Sequence, residues 1–148
     1  MKLNLTTTVA WFAAPLVMVC AALVSTPAGA DPIRRCSNRT LYGDYGFVIE
    51  GVILPNIELR GLALQHYDGH GNLTQVDRIV TDGVPPAQEW TPGSGTYHVN
   101  PDCTGSAVIN STANPFPIQL HFVIVNQGRE VRQVVDANAV TAVGKKVD

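Results

Sequence analysis

The sequence predicts an all-β fold: an antiparallel up-and-down barrel of about eight strands, with no major helix in the mature chain. Three observations carry this. From Phe116 to Val125, the residues Phe116, Ile118, Leu120, Phe122 and Ile124 alternate with Pro117, Gln119, His121 and Val123, the two-residue period of a strand with one buried face. Short runs of the same kind recur along the chain between tight-turn residues. No segment sustains helical spacing, and no internal repeat breaks the pattern.

The elements follow in order. Leu41 to Leu54 opens the series, with Tyr45, Phe47 and Ile49 on one face and Gly46, Val48 and Glu50 on the other. Leu59 to Tyr67 and Leu73 to Thr81 form a hairpin across Asp68-Gly69-His70-Gly71-Asn72, where glycine and asparagine reach positive φ at little cost. Gly83 to Pro92 contains Pro85, Pro86 and Pro92 and is excluded as a central strand. Gly95 to Asn100 is the fourth strand, followed by a turn over Pro101 to Gly105, and Ser106 to Ser111 is the fifth. Phe116 to Val125 is the sixth. After the turn at Asn126-Gln127-Gly128, Val131 to Val135 and Val140 to Val147 complete the count.

The first thirty residues read as a cleavable export signal. Lys2 precedes an apolar run from Val9 to Val24 that only Pro15 interrupts, and Ala28-Gly29-Ala30 supplies small residues for cleavage near Ala30. The run is too short for a membrane-spanning helix. The expected organisation is therefore a signal peptide over 1–30, an irregular N-terminal arm over 31–40 and one barrel domain over 41–148. The expected location is secreted or periplasmic, with no membrane association after cleavage. The formal net charge of −2 becomes slightly more negative once Lys2 is removed, which gives no overall attraction to nucleic acid.

Of the three cysteines, Cys20 leaves with the signal, so Cys36 and Cys103 have one partner each, and a disulfide is expected between them. Strand parity supports this: in an up-and-down barrel the chain start and the turn after the fourth strand lie at the same end. The same parity places Arg34, Arg35, Arg39, Arg129, Lys145 and Lys146 at that end and Glu58, Asp82, Glu89 and Asp136 at the other.

The stretches Leu41-Tyr42-Gly43-Asp44-Tyr45-Gly46-Phe47, Tyr67 to Asn72, Gly95 to Gly105 and Gly128-Arg129-Glu130-Val131-Arg132 resemble those of small exported bacterial proteins of unknown function, which are similar to the allene oxide cyclase barrel among the calycin-like folds. The resemblance covers roughly residues 41 to 147. It rests on turn and strand chemistry, so it implies a fold, and a cyclase or isomerase activity only by analogy.

Familiar site motifs fail on their own patterns. His66 and His70 have the spacing of a helical metal pair but flank a hairpin turn, so no metal is expected. Asp68 to Asn72 suggests a calcium loop, but Leu73 stands where that loop needs glycine and Ile79 where it needs glutamate. Gly93-Ser94-Gly95 lacks the flanks of a nucleophile elbow. No cofactor is expected. His66, His98 and His121 each adjoin an aromatic residue in a strand, and one member of each pair must face inward. Glu50 and Arg78 either line a cavity or sit on a wet face.

The interior of an eight-stranded barrel just accommodates side chains or one small ligand. Gly95 and Ala107 are thin positions beside bulky ones, so the expected site is an apolar cavity lined by Phe47, Tyr97, Leu120 and Phe122, with Tyr67 and His98 as further polar contacts. The leading expectation is a monomer or weak homodimer that binds a small apolar or aromatic molecule in its lumen. The alternatives are a cyclase or isomerase that shapes a flexible hydrophobic substrate, and a solid structural protein of the envelope or secreted space. No acid and base are paired by the sequence, which favours binding over catalysis.

Overall fold

The computed structural model describes residues 35–148. The export signal and the first part of the arm lie outside the described residues. Eight strands form a closed barrel in chain order: β1 (Tyr42–Ile53), β2 (Ile57–Asp68), β3 (Asn72–Thr81), β4 (Thr91–Val99), β5 (Thr104–Ser111), β6 (Ile118–Val125), β7 (Glu130–Val135) and β8 (Ala139–Lys146). Each strand pairs antiparallel with the next, and β8 returns to β1 with Phe47 opposite Gly144. Closure leaves no sheet edge to be protected.

Strand alternation decides which residues enter the barrel. Tyr45 and Phe47 of β1, Ala63 and Tyr67 of β2, Tyr97 of β4 and Leu120, Phe122 and Ile124 of β6 are buried together. In each histidine–aromatic pair the aromatic ring faces inward: Tyr67, Tyr97 and Phe122 are buried, while His66, His98 and His121 are exposed. Glu50 sits on the outer face, where it binds Arg60, and Arg78 donates to the Glu89 carbonyl at 2.9 Å.

Two sequence expectations are corrected. Phe116 does not share the buried face of β6: Pro117 interrupts pairing, the strand starts at Ile118, and Phe116 is 76 % exposed. In addition, β4 begins at Thr91 and not at Gly95. Pro92 is tolerated as the second residue of that strand, where a missing N–H costs least.

One end of the barrel is sealed. Cys36 and Cys103 form a disulfide across a separation of 67 residues, and the Cys36 N–H donates to the Pro101 carbonyl at 3.2 Å. Beyond it, a 3-10 turn at Asn38–Thr40 is tied inward: the Asn38 side-chain oxygen accepts the Val99 N–H at 2.8 Å. The Tyr97 hydroxyl lies 3.0 Å from the Asn38 carbonyl and 3.1 Å from that of Leu41, and the Tyr45 hydroxyl donates to the Gly128 carbonyl. Tyr45, Tyr67 and Tyr97 stack edge to face, with ring centroids 5.4 and 5.0 Å apart. Three tyrosines and the tethered arm thus plug the disulfide end, which leaves the opposite end as the route into the barrel.

Candidate functional site at the open mouth

The open end holds a cavity of about 820 Å³, within the range of small-molecule sites. Its wall is mostly apolar, built from Leu59 of β2, Ile79 of β3, Ile118 of β6 and Val140 of β8, with Phe116 and the Val84-Pro85-Pro86 loop at its rim. The exposure of Phe116 gains a local reason: displaced from the strand by Pro117, its ring stands at the entrance.

Thr81, Thr91, Ser111 and Asn138 add neutral polar groups to this lining, and one interior carboxyl joins them. Asp77 lines the cavity, yet it is only 7 % exposed. Its strand neighbours are Ala63 on β2 and Thr91 on β4, and Thr91 lines the cavity with it. Burial pushes the Asp77 carboxyl above its usual range, partly offset by a hydrogen bond from the Gln75 amide.

Behind Asp77 a line of side-chain hydrogen bonds runs through the interior. The Tyr67 hydroxyl donates to Gln65 Oε1 at 2.6 Å, Gln65 Nε2 donates to Gln75 Oε1 at 2.9 Å, and Gln75 Nε2 donates to Asp77 Oδ2 at 2.7 Å. The chain has a fixed direction. Burial and the neighbouring Tyr45 and Tyr97 raise the Tyr67 pKa far above normal, so its proton stays in place and needs an acceptor. Gln65 Oε1 is that acceptor, which orients both amides and makes Asp77 the final acceptor. Asp77 Oδ1 makes no protein hydrogen bond among the described residues.

The six residues expected to form the site lie elsewhere. Phe47, Tyr67, Tyr97, Leu120 and Phe122 are packed in the core, and none of the six lines the mouth cavity. The rings of Phe47 and Phe122 occupy the space a side chain would take at Gly144 and Gly105, while at the expected thin position Gly95 that space is taken by the β5 backbone at Val108 and Ile109. His98 is on the outer wall, where with Phe122 it borders a second, more open depression of about 690 Å³ that also includes His121 and Arg132. Tyr67 contributes to the mouth indirectly, as the first donor of the chain ending at Asp77. Gln133 is also buried, and its Oε1 has no partner among the described residues.

Gln65, Gln75 and Asp77 carry a signal in the sequence: each shares the parity of an inward apolar residue, Gln65 with Tyr67, and Gln75 and Asp77 with Leu73. A polar residue at such a position must be paired inside the barrel or serve a site. No family model, no curated protein and no solved structure matches the chain.

Proposed function

We propose that this protein is an exported binding protein that takes up a small, predominantly apolar molecule through the open mouth of its barrel. The observation that carries this reading is the apolar cavity of about 820 Å³ at the one end the arm and tyrosines leave unsealed. The disulfide supports export, because such bonds persist in oxidising compartments. The calycin-like resemblance fits the same reading, since that architecture suits one small ligand per barrel. Asp77 supplies the buried ionisable contact that sets a ligand's orientation in a mostly apolar pocket.

The experiment is titration of a hydrophobic fluorescent probe into the mature protein, comparing wild type with Ile118→Trp, which fills the mouth, and Leu120→Trp, which lies deeper in the core. Probe affinity falls at least about tenfold in Ile118→Trp if the cavity is the site. Unchanged affinity in a folded Ile118→Trp protein overturns the reading.

A further inference from the structure

The mouth cavity has an electrostatic sign. The ionisable side chains lining it are Asp77 and Asp136, both carboxyls, with no lysine, arginine or histidine among the lining residues. Asp136 is occupied at the surface by His121, whose Nδ1 lies 2.7 Å from Asp136 Oδ1. Arg60 of β2 and Arg78 of β3 are held by outer-face partners. Arg60 is bound by Glu50 and Glu58, and Arg78 by the Glu89 carbonyl. Asp77 therefore lines the cavity with no cationic side chain beside it among the described residues.

The hydrogen-bond chain adds the direction. Every donor from Tyr67 through Gln65 and Gln75 points towards Asp77, so Oδ2 is held as an acceptor and Oδ1 is left without a protein partner among the described residues, on a side chain that lines the cavity. Reversing the chain needs a protonated Asp77 and turns the Tyr67 hydroxyl into an acceptor with an unplaced proton, a costly arrangement in a buried site. To the ionised carboxylate, what meets Oδ1 from the cavity is a donor, and one carrying positive charge is favoured most. The surrounding Leu59, Ile79, Ile118 and Val140 suit a hydrocarbon body.

Building on the mouth-cavity reading, we propose that the ligand is an apolar amine, with its ammonium group on Asp77 and its hydrocarbon part against the wall of the cavity. Asp82 and Glu89, on the connection between β3 and β4 at the same end, would favour the approach of such a cation at low salt.

The test uses three probes of equal chain length, octylamine, octan-1-ol and octanoate, titrated at neutral pH into wild type, Asp77→Asn and Ile118→Trp, with each fold checked by circular dichroism. Octylamine binds wild type at least about tenfold more tightly than octanol, and Asp77→Asn removes that preference while keeping octanol binding. Equal binding of amine and alcohol, tighter binding of octanoate, or an amine preference that survives in Asp77→Asn overturns the amine inference and leaves the cavity reading standing. If none of the three binds saturably, the cavity reading falls with it. The comparison within wild type decides the matter even if Asp77→Asn fails to fold.

Discussion

The Asp77 carboxylate accepts a 2.7 Å hydrogen bond from the Nε2 of Gln75, two residues earlier on the same strand and facing the same interior. One face of β3 thus carries Leu73, Gln75 and Asp77 from the sealed end towards the mouth, passing from apolar packing to a buried amide and then to a carboxyl at the cavity. That gradient joins the closed half of the barrel to its open half.

The pKa of Asp77 is raised by burial, so between the usual carboxylate range and the raised value the folded state binds more protons than the unfolded state. Stability contributed by this position therefore falls as pH rises through that window, and the charged group is carried at a cost above it. Asp77→Asn keeps an acceptor for Gln75 and removes the charge. Thermal melts across pH are expected to show the variant gaining on wild type at neutral pH and losing that advantage in acid. A stability difference independent of pH contradicts the assignment.

Asp68 shifts the other way. At the exposed β2–β3 turn its carboxylate accepts the Asn72 side-chain amide at 2.7 Å and the backbone N–H groups of Asn72, His70 and Gly71, which hold its pKa well below the usual range. The turn is closed by Gly69 and Gly71 at φ +76° and +113°. Its stabilising contribution is complete above the usual carboxylate range and is lost as pH falls through the lowered value. Asp68→Ala is expected to lower the melting temperature at neutral pH, with the gap closing in strong acid. Hydrogen exchange at the amides of His70 and Asn72 should rise in the variant, and unchanged protection there would exclude this role.

The sealed end depends on the disulfide and on Tyr97. Closing a 67-residue separation constrains the unfolded chain by roughly 4 kcal/mol, so Cys36→Ser with Cys103→Ser should lower unfolding free energy by that order in urea. Tyr97→Phe, which loses the contacts to the Asn38 and Leu41 carbonyls, should cost about 1 kcal/mol with the disulfide intact. If the arm plugs the barrel as described, both changes increase hydrogen exchange at Val99, whose N–H is held by Asn38.

Interior packing makes a separate prediction. A methyl group at Gly144 would enter the Phe47 ring, and one at Gly105 the Phe122 ring. Gly144→Ala and Gly105→Ala should each destabilise by roughly 1–3 kcal/mol. The loss should be partly restored by Phe47→Leu in the first case and Phe122→Leu in the second. Additive losses in these double-mutant cycles would show that the rings do not fill the glycine positions.

Much of the barrel was legible because the two-residue period along Tyr45-Phe47 and along Leu120-Phe122-Ile124 survives closure unchanged. The disulfide was legible because strand parity puts Cys36 and Cys103 at one rim. The candidate site was not, for a geometric reason. Alternation tells which residues face the lumen but not where along the barrel side chains run out. That depends on the register between strands, which brings the Phe47 and Phe122 rings over glycines, and on the arm that seals one end. The spacing of Phe116 fits the β6 face, but Pro117 ends the pairing before it.

The account rests on occupancy of the open mouth, and chemical-shift mapping with octylamine on isotopically labelled mature protein tests it most directly. The account predicts saturable shifts concentrated at Leu59, Asp77, Ile79, Ile118 and Val140, with Leu73 and Val99 near the sealed end unmoved. Shifts confined to the outer groove at His98, His121 and Arg132, or no saturable shift at all, would contradict it.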